Sequence, residues 1–125
     1  MNNKNPQQLV AVVDDDRSIQ SAVKDLLESV GLISESFGSA EEFLASDQLN
    51  QTACLVLDIH MPGISGLDLQ ALLKTEGRHI PIIFITAHSD TQTKTRAMKA
   101  GALEFLSKPF DDEVLLERVR AALKG

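Results

Sequence analysis

The sequence predicts an α/β domain in which a parallel sheet is covered on both faces by helices. Three observations carry this expectation. Short continuous apolar runs, LVAVV (9–13), CLVL (54–57) and IPIIFIT (80–86), read as strands buried on both faces. Between them lie stretches with apolar residues at helical spacing. Strands alternating with helices imply right-handed βαβ crossovers, and therefore parallel strands.

The elements follow in order. Met1 to Gln8 is polar, lacks an apolar signal-peptide core and is expected to be a disordered lead-in over 1–8. A single domain is expected over 9–124. Strand one, Leu9 to Val13, runs into Asp14-Asp15-Asp16. Ile19, Ala22, Val23, Leu26, Leu27 and Val30 then form an amphipathic helical stripe, stopped by Gly31. Leu32 to Phe37 alternates and reads as a strand nearer the sheet edge. Ser39 with Glu42 is a capping box opening a short helix through Ala45. Strand three ends in Asp58, followed at once by a tight loop with Pro62 and Gly63.

Ser65 with Asp68 is a weaker cap signal, opening a helix with Leu69, Leu72 and Leu73 inward and Gly77 beyond its end. Ile80 to Thr86 is the next strand, with Pro81 at its start where the missing N–H does least harm. Ser89 to Ala100 is a poor helix, rich in threonine, whose clearest apolar face is Ala97, Met98 and Ala100. After Gly101, Leu103 to Leu106 is a fifth strand. Asp111 caps a last helix carrying Leu115, Leu116, Val119, Ala122 and Leu123. The order of the strands in the sheet does not follow from pattern alone.

A chain of 125 residues suits one core, and 43% hydrophobic with 24% charged residues is an ordinary globular balance. Lys plus Arg number 12 and Asp plus Glu 18, a net charge of −6, which disfavours direct binding to nucleic acid. The single Cys54 sits in an apolar strand and reads as a small core residue in a reducing compartment. No apolar run is long enough to span a membrane, so a cytoplasmic location with no membrane partner is expected.

The polar residues at the carboxyl ends of the strands converge on one rim of a parallel sheet. They are Asp14, Asp15 and Asp16 from strand one, Asp58 from strand three, Thr86 from strand four, and Ser107 with Lys108 from strand five. Crowded carboxylates raise one another's pKa unless a cation joins them. Hard oxygen ligands with open positions suit Mg²⁺, which bridges readily to phosphoryl oxygens. Lys108 adds positive charge and Thr86 a hydroxyl donor. Asp58 is then the natural nucleophile, since aspartate forms acyl phosphates.

The segments VVDDD (12–16), LDIHMPGISGLDL (57–69), PIIFITAH (81–88) and AGALEFLSKPF (100–110) span most of the chain. Together they make the sequence resemble a receiver domain of two-component response regulators. The resemblance implies a doubly wound sheet of order 2-1-3-4-5 with five helices. It implies that Asp58 accepts a phosphoryl group from a sensor histidine kinase. It also implies that Asp15, Asp58 and the backbone carbonyl of His60 contact Mg²⁺, with Asp14 acting through water. Thr86 matches the switch hydroxyl, Lys108 the motif lysine and Phe105 the switch aromatic. Segments 36–44 and 58–69 are similar to receivers of nitrogen-fixation-type transcription regulators, in which a DNA-binding helix-turn-helix follows the receiver. Such an element would lie beyond this chain, and phosphorylation would act through the face of helix four, strand five and helix five, by partner binding or homodimerisation.

Plainer readings stand beside these. Asp16 is expected to be a helix cap, since the motif needs only two acids. Phe105 is most simply a core aromatic. A cis Lys108-Pro109 peptide is compatible with a turn. His60 and His88 are two loop histidines or, more sharply, flank the acyl phosphate and tune its lifetime. The histidines lack cysteine or acidic partners at ligand spacing, which argues against zinc, and His79 reads as surface. The alternative roles are a stand-alone receiver in a phosphorelay or, distantly, an aspartyl-phosphate hydrolase. The hydrolase wants an acid two residues after the nucleophile, where this chain has His60. A flavin or dinucleotide carrier would need a phosphate loop where the chain has three aspartates. The expected chemistry is thus not that of an enzyme, beyond self-phosphorylation and dephosphorylation at Asp58.

Overall fold

The computed structural model describes residues 8–88 and 90–124. The expected lead-in therefore lies outside the described residues except for Gln8, whose side-chain amide donates to the Leu123 carbonyl at 2.9 Å. Ser89, the expected start of the fourth helix, lies outside them too.

The chain runs β1 (Leu9–Val13), α1 (Arg17–Ser29), β2 (Ile33–Phe37), α2 (Ala40–Leu44), β3 (Thr52–Asp58), α3 (Gly66–Thr75), β4 (Ile82–Thr86), α4 (Thr91–Lys99), β5 (Glu104–Ser107) and α5 (Asp112–Lys124). A 3₁₀ turn, Leu49–Gln51, precedes β3 and had no sequence signal. All strand pairs are parallel, and the order is β2-β1-β3-β4-β5. The chain winds one way from β1 to β2, then crosses back to β3 and on to β5. That reversal puts a crevice between β1 and β3 at the carboxyl ends of the strands, where open α/β sheets bind ligands.

The uninterrupted apolar strands divide by period two between two cores. Ala11, Val13, Leu55, Leu57 and Phe84 face one layer with Phe37, Phe43, Leu69, Leu73 and Phe105. Val10, Val12, Cys54, Val56, Ile83 and Ile85 face the other, packed by Val23 and Leu27 of α1 and Leu115 and Val119 of α5. Burial pushes the Cys54 thiol up to about 12, so it is an inert apolar filler.

The helix ends follow their local chemistry. Gly31 takes φ +82°, its N–H donates to Glu28, and the Leu32 N–H donates to Leu27, a Schellman stop for α1. Asp111 opens α5 by accepting the N–H groups of Glu113 and Val114. The two capping boxes exchange rank. Ser65 and Asp68, the weaker signal, form both reciprocal bonds. Ser39 accepts the Glu42 N–H, but the Glu42 carboxylate turns to the Gly38 N–H instead of that of Ser39.

Several expected faces are shifted. In α1, Val23 and Leu27 are buried while Ala22 and Val30 are exposed. In α3, Leu72 is 39% exposed and the inward stripe is Gly66, Leu69, Gln70 and Leu73. Gln70 replaces the leucine because its amide donates to the Ala97 carbonyl, tying α3 to α4. In α4 only Ala97 is fully buried, and Met98 points outward. In β2, an edge strand as expected, Ile33 is exposed and Ser34 buried. The five-residue α2 covers only the Phe37 end of that face, where the Phe37 and Phe43 rings meet edge-on. Strand bounds differ by one or two residues: β3 starts at Thr52, β4 at Ile82 beyond Pro81, and β5 at Glu104.

The α3 register makes a direct prediction for chemical denaturation. Leu73→Ala should cost about 2–5 kcal/mol by opening a cavity in the core. Leu72→Ala on the same helix should stay within about 0.5 kcal/mol. Equal effects of the two substitutions would contradict the register.

Candidate functional site

The first acid is built by the edge of the ladder. Asp14 directly follows β1, and its N–H donates to the Phe37 carbonyl at 3.1 Å, holding it against β2. Its side chain is fully buried, which demands that both oxygens find donors. One oxygen accepts the Asp16 N–H at 2.8 Å and the other the Lys108 ammonium at 2.8 Å. Gln20 of α1 donates to the Asp14 carbonyl at 2.7 Å, fixing the turn from the helix side. Asp15 is exposed beside it. Asp16 is the α1 cap, accepting the Ser18 N–H, as its sequence position implied.

Asp58 ends β3, the central strand, and is 4% exposed. The following loop folds back sharply, with the Gly66 N–H donating to the Ile59 carbonyl at 2.9 Å. Only glycine fits there, because a Cβ at Gly66 would run into the Asp58 carbonyl oxygen. Glu41 of α2 braces the same loop by accepting the Ile64 N–H at 3.3 Å. Carboxylate oxygens of Asp14, Asp15 and Asp58 all lie within 4.8 Å of one another. The Lys108 ammonium stands 3.7 Å from Asp58.

The electrostatics follow from this crowding. Burial, then the charge of Asp14, push the Asp58 carboxyl up to about 6, against the opposing pull of Lys108 and the His60 backbone N–H. The single ammonium is already committed to Asp14 at the shorter distance. The donor set is all carboxylate oxygen with negative charge in excess, which suits a hard divalent cation.

The remaining expected residues surround this group. Thr86 is fully buried at the end of β4. Its hydroxyl donates to the His88 carbonyl at 3.3 Å and accepts the His88 N–H at 3.1 Å. The Lys108 N–H donates to the Thr86 carbonyl at 2.7 Å, so β4 positions the lysine, which precedes a cis Pro109. Phe105 is buried, its ring 6.4 Å from that of Phe84. Ser107 is exposed at the β5 end, on the side of Asp90 and Lys94. His60 and His88 are both exposed, and their rings meet edge to face with centroids 5.7 Å apart. His79 is exposed before β4, at the opposite pole of the sheet.

The structure thus brings Asp14, Asp15, Asp58 and Lys108 into one group and puts Thr86 on the neighbouring strand. The sequence reading missed Gln20 and Glu41. Their polar side chains sit on helices and act only through backbone groups of other loops, a relation that leaves no spacing signal.

Known proteins share this fold and sequence pattern. The family described as the response regulator receiver domain matches residues 10–120. Nodulation protein W of Bradyrhizobium diazoefficiens is 53% identical over 114 residues, covering 91% of this chain and 50% of its own length. Transcriptional regulatory protein FixJ of Azorhizobium caulinodans is 43% identical over 114 residues, covering 91% and 54%. This chain spans about half the length of the curated relatives it matches. Among solved structures, the response regulator StyR superposes with TM-score 0.88 at 46% identity, over 95% of this chain and 60% of that one. FixJ-N superposes with TM-score 0.84 at 34% identity, over 96% of both. A family match across nearly the whole folded region, on a sheet of this order, means that the chain belongs to the response regulator receiver domains of two-component systems.

Proposed function

We propose that Asp58 is the phosphoacceptor of this receiver, taking a phosphoryl group from the phosphohistidine of a sensor histidine kinase. The observation that supports this most is the nearly buried Asp58 carboxylate with excess negative charge beside it and Lys108 in reach. In the transfer an Asp58 oxygen bonds to phosphorus as the phosphorus–nitrogen bond breaks. The donor imidazole leaves with the electron pair and is reprotonated by solvent. Catalysis of such a step is mostly positioning and charge stabilisation. The β3 end and the Gly66 turn fix the nucleophile, and Lys108 stabilises negative charge on the phosphoryl oxygens. Thr86 gives up its hydrogen bonds to the His88 backbone and donates to a phosphoryl oxygen.

Receiver domains normally use Mg²⁺, and the acid trio fits it. Asp15, Asp58 and the His60 carbonyl would hold the ion directly and Asp14 through water. Bound there, it supplies the positive charge that the phosphoryl oxygens need.

The switch follows from the same contacts. When Thr86 moves, the loop to α4 loses its tie, and Phe105 on the adjoining strand repacks against Phe84. α4 is the mobile element, since only Ala97 anchors it fully and threonines weaken it. The altered face of α4, β5 and α5 then binds a partner or a second copy. The relatives of twice this length include transcription regulators, which supports an output domain under control of this switch. A stand-alone receiver in a phosphorelay is the second reading. We place the folded receiver at 9–124, with no direct nucleic-acid contact, in the cytoplasm. No helix of the described residues is long and apolar enough to cross a membrane. His60 and His88 flank the acyl phosphate and govern the approach of water. Self-phosphorylation and dephosphorylation at Asp58 are the whole of its chemistry in this reading.

Three measurements test the proposal. Incubation with Mg²⁺ and a small phosphodonor, read by intact mass, should add one phosphoryl group to the wild type and none to Asp58→Asn. A phosphorylated Asp58→Asn would reject Asp58. The second concerns pH. A carboxyl raised to about 6 in the fold and lower in the unfolded chain makes the fold less stable as pH rises, with the penalty complete above about 6. In chelator, Asp58→Asn should therefore raise the Tm at pH 7.5, and the gain should vanish near pH 4. A gain independent of pH would count against the raised pKa. In the third, hydrogen exchange should find α4 the least protected of α1, α3, α4 and α5. Strong protection there would remove α4 as the mobile element.

A further inference from the structure

We propose that His60 and His88 form a second metal site, separate from the acid trio, for a borderline divalent ion of the Zn²⁺, Ni²⁺ or Cu²⁺ class. The two histidines are far apart in the chain, which is why spacing argued against a zinc site, and the sheet brings them together. Asp58 and Ile85 are register partners on adjacent strands, and each histidine follows its strand end closely. Neither backbone is loose. The Thr86 hydroxyl holds both the N–H and the carbonyl of His88, and the His60 N–H lies against the Asp58 carboxylate.

The ring spacing suits one shared ion, while the edge-to-face orientation requires one ring to turn. Two imidazoles that each place a nitrogen about 2.0–2.1 Å from a metal have centroids about 5–6 Å apart. The observed separation is 5.7 Å, with the ring planes at 72°. Both side chains are exposed and χ2 of histidine is soft, so rotation of one ring out of the edge-to-face contact brings a nitrogen of each to a common point. Imidazole ligands select Zn²⁺, Ni²⁺ and Cu²⁺, whereas carboxylates suit Mg²⁺, so the two neighbouring sites sort different cations. The field favours any cation here, because the chain carries −6 and Asp90 lies within electrostatic reach of His60. Among the described residues the acid trio is the one group of three or more clustered donors. The histidine site is therefore open, with water completing the shell.

The test is a calorimetric titration of the full chain with Zn²⁺ in saturating Mg²⁺, which occupies the carboxylates. The wild type should bind one Zn²⁺. His60→Ala and His88→Ala should each weaken binding at least about tenfold, no less than loss of an outer-shell partner costs. His79→Ala, at the far pole, should leave it unchanged. Circular dichroism melts confirm that the variants fold. Substoichiometric Cu²⁺ should broaden the imidazole NMR signals of His60 and His88 before that of His79. The proposal is overturned if Mg²⁺ abolishes Zn²⁺ binding, if both alanine variants bind as well as the wild type, or if His79 broadens first. None of these readouts depends on phosphorylation, so this site and the phosphoacceptor proposal fail independently.

Discussion

The structure depends on one imbalance: three carboxylates gathered within 4.8 Å and a single lysine among them. Folding alone would not favour this arrangement, since buried like charges repel and lose hydration. The fold resolves half of it. Asp14 is satisfied completely, by a backbone N–H and by Lys108, and so behaves as a structural ion pair. Asp58 is left undercompensated, with its proton affinity raised. In the proposed function, the same burial that makes it costly prepares it for an electrophile that arrives with a cation. The surrounding sheet, nearly all apolar, holds this tension in place.

The path from Asp58 to the surface is short. Thr86 is a buried hydroxyl whose two hydrogen bonds both go to the backbone of the loop ahead of α4. Phe105 lies one strand over, against Phe84, and α4 packs on that edge through Ala97. Gln70 joins α3 to α4 through the Ala97 carbonyl. Any displacement of Thr86 is thus felt by a helix with little apolar anchorage. In the proposed switch this helix is the two-state element that allostery requires, reached without a long chain of intermediates.

Much of this was legible in the sequence because buried parallel strands are apolar on both faces and their ends carry the chemistry. Leu9–Val13, Ile82–Thr86 and the run into Asp58 could hardly be read otherwise, and the acids, Thr86 and Lys108 followed from their positions at those ends. The strand order was legible only through resemblance, because crossover geometry leaves no mark on local pattern. Helix faces were the weak point. Leu72 and Met98 are apolar yet outward, while Gln70 is polar yet inward, since its partner is a carbonyl on another helix. The rank of the two capping boxes also turned on context. Glu42 had a competing donor in Gly38, and Asp68 did not. The meeting of His60 with His88 required the β3–β4 register, which no single segment contains.

The Lys108–Asp14 pair has a consequence for the order of events during synthesis and folding. It joins groups 94 positions apart, closing the first strand of the sheet to the loop after the last. Contacts of such separation come late, since they close the largest loop. Until β5 docks, Asp14 has no lysine and Thr86 lacks its neighbour strand. A growing chain therefore carries its acids long before it carries a working site. Under the proposed function, competence to receive a signal arrives together with completion of the domain, and a half-made receiver stays silent.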